Sequence, residues 1–292
     1  MHLIYLVFGT NVRNHFQANF SMLTFLREPA ALDGITVVTD APDFYRHLSG
    51  QVTILPVAEA TLRDWKGEFD FFWRVKIKAL ETVARQHPGV PLLYLDSDTF
   101  LHGSAAELKA RLTNGEAFMH EREGALSELG SKTEQRMWTQ VRQQTFGGVQ
   151  LHERHAMWNA GVVGIPAAKA SEAIALALAV CDDFSRCQVT PRLIEQFALS
   201  VALDKTYPLH PARPFIGHYW STKDEWNEHI AAFLLESHLQ QRTVAEELAA
   251  LAQFDFRLAP VKQRQKSTRW RLVRLVDRLF PPRETLYAGS EE

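Results

Sequence analysis

Two aspartates separated by one serine, Asp96-Ser97-Asp98, follow directly on the apolar run Leu92-Leu93-Tyr94-Leu95. The breaker His87-Pro88-Gly89 precedes that run, so the pattern predicts a buried strand ending at the aspartates. Residues i and i+2 of an extended segment point to one side, which brings the Asp96 and Asp98 carboxylates together. In open α/β sheets the ligand crevice lies at the carboxyl ends of the strands. Hard divalent cations such as Mn²⁺ and Mg²⁺ prefer carboxylate and phosphate oxygens. Two carboxylates and two phosphate oxygens fill most of an octahedral shell, and such an ion neutralises charge on a departing diphosphate. The plainer reading is a pair of turn aspartates ahead of a capped helix. A bare D-x-D arises often by chance. The strand before it and the helix after it, capped by Ser104 with Glu107 three residues on, favour the metal reading.

The elements that must carry this pair read as an α/β chain. Leu3 to Phe8 is a continuous apolar strand ending at Gly9. Phe16, Phe20 and Leu23 make a helical stripe that exits at Pro29 and Gly34. Ile35 to Thr39 is a second strand, closed by Asp40. A short helix over Asp43 to Leu48, a strand over Val52 to Leu55 and a helix from Phe71 to Arg85 follow. Strands at Ala117 to Met119 and Val162 to Ile165 bracket a polar, weakly periodic excursion, Glu121 to Arg154, read as a partly helical functional segment and a place for acceptor recognition. Helices come next, over Ala168 to Cys181 and after Pro191, where Ile194, Phe197, Ala198 and Val201 form a stripe. Alternating strands and helices predict a mixed, mostly parallel sheet flanked by helices, with a C-terminal helical extension. The division expected is one domain over 1–256 and a basic amphipathic tail over 257–292.

Composition narrows the partners. The net charge of −2 over 292 residues gives no global field that would demand nucleic acid. Cys181 and Cys187 have neither metal-ligand nor redox spacing and read as two thiols in a reducing cytoplasm. The start of the sequence has neither the basic segment nor the cleavage site of a signal peptide. No apolar run approaches the ~20 residues that span a bilayer. The tail carries Lys262, Arg264, Lys266, Arg269, Arg271, Arg274 and Arg278, with Leu272, Val276 and Leu279 on another helical face. That pattern suits a helix lying on an anionic membrane, or a helix packed on the domain with its charges in water. The expected location is cytoplasmic, peripheral on the inner face of the membrane.

The segment Leu92 to Leu101 resembles the D-x-D strand of GT-A-fold nucleotide-sugar glycosyltransferases. In motif order the chain is most similar to glycosyltransferase family 8, which includes glycogenin and bacterial lipopolysaccharide glycosyltransferases. The likeness runs over roughly the first three-quarters of the chain and implies the GT-A, Rossmann-like fold. It implies a donor site at Gly9, Thr10, Asn11 and Asp40 for the base and ribose, with Ser97 inside the D-x-D. Arg74-Val75-Lys76 resembles the family's R-x-K on the helix before that strand, where the arginine contacts the donor. On a helix Arg74 and Lys78 share a face that Lys76 does not, and both are donor candidates. Trp158-Asn159-Ala160-Gly161-Val162 resembles the segment beside the donor sugar, with Asn159 to hydrogen-bond hydroxyls and Gly161 to admit close approach. Glu195-Gln196 stands where the family has an aspartate–glutamine pair implicated in catalysis. His218 and Lys223 stand for a late histidine ligand and a diphosphate-binding lysine, with His210 as the competing histidine.

The resemblance implies a sugar transferase that uses Mn²⁺ or Mg²⁺ on Asp96, Asp98 and His218, a UDP-linked nucleotide-sugar donor, and a glycan or lipid-linked acceptor. For an inverting reaction, Glu195 or a residue of the Glu121–Glu134 loop would act as base. Three other readings compete. A haloacid-dehalogenase-type phosphatase would use Asp96 as nucleophile, but it wants Thr or Val where Phe100 stands. A nucleotidyltransferase wants a glycine-rich loop where Gly9-Thr10-Asn11-Val12-Arg13 stands. A non-catalytic sugar- or nucleotide-binding protein would have no reason to keep both aspartates.

Overall fold

The structure is a computed structural model that describes residues 1–263 together with 272, 275, 276 and 278–280. In chain order it runs β1 (His2–Val7), α1 (Val12–Leu26), β2 (Gly34–Thr39), β3 (Thr53–Pro56), α2 (Glu59–Lys66), α3 (Arg74–Gln86), β4 (Leu92–Leu95), β5 (Thr99–Leu101) and α4 (Ala105–Thr113). The excursion follows as β6 (Ala117–Met119), β7 (Arg122–Ala125), α5 (Lys132–Val141), β8 (Thr145–Phe146), β9 (Val149–Gln150) and β10 (Ala156–Trp158). The chain closes with β11 (Val162–Ile165), α6 (Ala170–Arg186), α7 (Ile194–Thr206), β12 (Leu209–Pro211), β13 (Ile216–His218), α8 (Lys223–Leu239) and α9 (Val244–Leu251).

Seven strands form the central sheet in the order β12-β6-β11-β4-β1-β2-β3. β1 pairs in parallel with β2 and β4, β2 with β3, and β6 with β12. Only β11 runs against its neighbours, β4 and β6. The expected mixed, mostly parallel sheet flanked by helices is what forms. Alternation along β1 sends Ile4 to one face and Leu3 and Tyr5 to the other, so the sheet divides two cores. One core holds the buried faces of α3, α6 and α7, and the other those of α1, α4, α8 and α9.

The single reversed strand matters for the site. Because β11 is antiparallel to β4, the start of β11 lies beside the end of β4, and Asp96 N–H donates to the Gly161 carbonyl at 2.8 Å. A second, separate pairing joins β5 to β13 antiparallel, with His218 opposite Thr99. It folds the far end of the chain back onto the D-x-D turn. No helix among the described residues is long and apolar enough to cross a membrane.

Just after 256 the chain packs back onto the domain at Ala259 and Val261. Ala259 is buried, and the Pro260 carbonyl accepts from Thr222 Oγ1 and Trp226 Nε1 at 2.6 and 3.1 Å. Most of the expected basic tail, including Arg264, Lys266, Arg269, Arg271 and Arg274, lies outside the described residues.

Candidate active site

Asp96, Asp98 and His218 come together with ligating atoms all within 4.8 Å of one another. Asp96 and Asp98 line a cavity of about 240 Å³ together with Val7 and Phe8 from the end of β1, Lys76 and Lys223. The site therefore sits at the carboxyl edge of the parallel strands, where such sheets leave a crevice. Asp96 is half-buried, and its Oδ1 accepts from Tyr94 Oη at 2.7 Å. Asp98 and His218 are buried.

The donor set fits a divalent cation. Asn159 Oδ1 accepts from Gly161 N–H at 3.0 Å, which fixes the amide so that its oxygen faces His218 Nδ1 at 3.1 Å. His218 Nδ1 therefore donates to Asn159, which turns Nε2 towards the aspartates. That nitrogen faces Asp98 Oδ2 at 3.5 Å. No directed hydrogen bond reaches the buried Asp98 Oδ2, although Lys223 Nζ lies 2.9 Å away. A divalent cation would take the imidazole nitrogen and the carboxylate oxygens as ligands. Burial works against the Asp98 charge, but His218 and Lys223 outweigh it and hold the carboxyl well below the usual carboxylate range. The His120 ring stands edge-on to His218, 4.9 Å between centroids. Burial and His218 push its pKa down to about 3, so it stays neutral.

Ion pairs surround the carboxylates without neutralising them. Lys76 Nζ lies 3.5 Å from Asp96 and 2.9 Å from Glu195. Burial alone would lower the Lys76 pKa, but Asp96 and Glu195 override it and keep the ammonium charged. Burial also raises the Glu195 carboxyl, against the pull of Lys76. Three carboxylates, Asp96, Asp98 and Glu195, thus face two lysines, Lys76 and Lys223.

The other expected donor residues divide into two groups. Asp40 Oδ1 accepts from Gly9 N–H at 2.8 Å, so the ends of β1 and β2 meet as expected. Gly9 holds a φ of +78° there, a conformation that favours glycine. Thr10 and Asn11 are exposed on that loop, and Asn11 caps α1 by accepting from Arg13 N–H at 3.1 Å. Ser97 lines the cavity and donates to Gln17 at 3.2 Å. Gln196 Nε2 donates to Glu123 at 3.1 Å, and its Oε1 accepts from Ala160 N–H at 3.4 Å.

Arg74 and Lys78 are not brought to the carboxylates. Arg74 forks onto Asp182 at 2.7 and 3.0 Å and onto the Trp65 carbonyl at 2.9 Å, and Lys78 pairs with Glu81. The face they share points at α6 and at its own helix, because Lys76, two residues from each, takes the position towards β4. His210 pairs with Glu116 at 3.3 Å and leaves the ligand role to His218. Gly161 does admit a close approach, but to the His218 ring. A Cβ there would meet His218 Cε1 at 2.1 Å.

Lys76, Tyr94 and Glu123 are site residues that the sequence reading did not single out. A signal for Lys76 was present, since with Ala79, Leu80 and Val83 it completes the buried i, i+3, i+4, i+7 stripe of α3. Partial desolvation raises the Glu123 carboxyl, opposed by a hydrogen bond from Asn159. Its place in a weakly periodic excursion gave no such signal.

No family model matches the chain, and no curated protein matches it. Solved structures similar to it are glycosyltransferases, in agreement with the expected recognition. The galactosyltransferase LgtC in complex with donor and acceptor sugar analogues is 12% identical, with a TM-score of 0.45 over 72% of each chain. An active-site mutant of LgtC is 11% identical, with a TM-score of 0.47 over 72% of this chain and 71% of that one. Mouse xyloside xylosyltransferase 1, in its apo form, is 12% identical, with a TM-score of 0.45 over 72% of this chain and 84% of that one. At this identity and overlap the likeness fixes neither donor nor acceptor.

Proposed function

We propose that the chain is a metal-dependent glycosyltransferase that moves a sugar from a nucleotide diphosphate donor, UDP-linked, to an acceptor hydroxyl of a glycan or glycolipid. One observation carries the reading: Asp96, Asp98 and His218 converge at a cavity on the carboxyl edge of the sheet, with Asn159 holding His218 by Nδ1 so that Nε2 faces Asp98. Mn²⁺ or Mg²⁺ held by these three residues supplies the charge that a departing diphosphate needs.

The chain's own residues do the rest. Lys223 reaches the same cavity and adds positive charge beside the diphosphate. Lys76 braces Asp96 and is itself braced by Glu195, so Glu195 acts through Lys76. Asn159 orients His218 through Nδ1. Gln196 ties Ala160 of the β11 approach to Glu123. Gly9 and Asp40 form the loop pair that receives the base and ribose. In the transfer, the acceptor oxygen bonds the anomeric carbon as the bond from that carbon to the diphosphate oxygen breaks. The hydroxyl proton passes to a cleft carboxylate or to the leaving diphosphate.

The phosphatase reading loses support at Phe100, which is buried against Trp226 and Tyr219 where that chemistry wants a small polar or branched residue. Leu272, Leu275, Val276, Leu279 and Phe280 are exposed, which supports reading the basic tail as a contact with anionic membrane. Co-sedimentation with phosphatidylserine vesicles that falls with salt is the expected result, and equal binding to neutral vesicles counts against it.

The decisive screen incubates the protein with a panel of nucleotide sugars and measures free nucleotide with Mn²⁺ and with chelator. Metal-dependent release from one donor, abolished in Asp98→Ala, is expected. Nucleotide binding that ignores metal, with no turnover, favours a non-catalytic binding protein.

A further inference from the structure

A second and larger cavity, about 880 Å³, adjoins the metal-site cavity and shares Lys223 with it. Three parts of the chain wall it. β7 supplies Glu123, the first turn of α5 supplies Glu134, and the segment from Trp220 into α8 supplies Trp220, Lys223 and Glu225, with Lys262 closing one side. Trp220 is 50% exposed, an indole left uncovered at the edge of a polar cleft.

The charges of this cavity are uneven. Its lysines are engaged elsewhere, Lys223 with Asp98 at 2.9 Å and Lys262 with Glu121 at 2.8 Å. Glu123, Glu134 and Glu225 have no cationic partner among the described residues. Glu123 is also built into the site's scaffold. It accepts from Gln196, whose other end holds Ala160 on the approach to β11.

We propose that this cavity is the acceptor subsite, that it takes a neutral or amine-bearing sugar unit stacked on Trp220 with a hydroxyl held by Glu123, and that it refuses phosphorylated or uronic sugars. The proposal rests on the glycosyl-transfer reading above and names the acceptor class. A pyranose offers a C–H face to the electron-rich face of an indole and hydroxyl donors around its edge. Ionised carboxylates accept only, so they match those donors. An amine on the sugar adds a charge-assisted bond and a cation over the ring. A phosphate or carboxylate on the sugar would meet three unpaired carboxylates, a like-charge juxtaposition that rejects a partner.

The test uses the full chain with Mn²⁺ and a panel of nucleoside diphosphates. Lactose, a glucosamine disaccharide and a glucuronic-acid disaccharide serve as probes at millimolar concentration, read by saturation-transfer NMR. Binding of the first two and not the third is expected. Trp220→Ala should weaken that binding about tenfold while leaving nucleotide affinity unchanged. Glu225→Lys should admit the uronic probe. Equal binding of the uronic probe by the unaltered chain, an unaffected Trp220→Ala variant, or no sugar binding beside intact nucleotide binding would each overturn the cavity assignment. Failure to bind any nucleoside diphosphate would instead sink the transfer reading on which it stands.

Discussion

Replacing Gly161 by alanine tests how His218 is held. The added Cβ would lie 2.1 Å from Cε1, 2.5 Å from Nδ1 and 2.8 Å from Nε2 of the imidazole. Ordinary contact requires the ring to retreat by roughly 1.3 Å. The ring cannot retreat and keep its hydrogen bond to Asn159, now 3.1 Å, because that bond and the Gly161 N–H bond share one oxygen. Metal ligation tolerates only about 0.2 Å, so His218 is lost as a ligand. Mn²⁺ affinity should fall about 10- to 100-fold, the range seen when a ligand's support is removed. Overpacking a buried site should also cost about 1–3 kcal/mol of stability. Mn²⁺ titration by calorimetry and urea unfolding of the same variant measure both. The double variant Gly161→Ala/His218→Ala should regain the stability and not the affinity, since it removes the clash and the ligand together. Wild-type Mn²⁺ affinity in Gly161→Ala would refute the role given to His218.

Other consequences follow from the buried charges and from the helix faces. Lys76→Gln leaves Asp96 and Glu195 facing each other in a buried site and should cost about 3–5 kcal/mol in urea unfolding, recovered in part by Lys76→Gln/Glu195→Gln. An unchanged single variant would contradict the bracing role. Arg74→Ala should lower the melting temperature through loss of its fork to Asp182, yet leave nucleotide affinity within about twofold; a large loss of affinity would return Arg74 to the donor site. His2 is buried, donates to or accepts from Thr36 at 2.8 Å, and stacks on His87. Burial and the neighbouring His87 depress its pKa from 6.5 to about 4. Between those values the unfolded chain takes up a proton that the folded chain refuses. Stability should therefore decline as pH falls through that window, by up to about 1.4 kcal/mol per pH unit. His2→Gln should flatten the wild-type slope, and an identical slope in the variant would exclude His2 as its source.

The sequence made some parts of this site legible and left others dark for physical reasons. β4 and its aspartates were readable because a four-residue apolar run ending in carboxylates has few other uses in a sheet. The α4 cap was readable for the same local reason, and Ser104 accepts from Glu107 N–H as expected. Lys76 was misplaced by setting it against Arg74 and Lys78, when its partners were the apolar residues of its own stripe. α2 was missed because it buries only Trp65 and shows no stripe. α5 was expected only as partial helicity somewhere in the excursion and was not placed, although Ser131 and Glu134 form a reciprocal capping box at its start. The β5–β13 pairing has no local signature at all. It joins three-residue strands over a hundred residues apart, and only the resemblance of His218 to a late ligand hinted at it.

The most direct test of the central claim is anomalous diffraction from crystals soaked with Mn²⁺ and UDP. A manganese peak in direct coordination with Asp96, Asp98 and His218, and with diphosphate oxygens, is the predicted result. A peak that avoids these side chains, or UDP bound in the cleft with no manganese beside them, would contradict it.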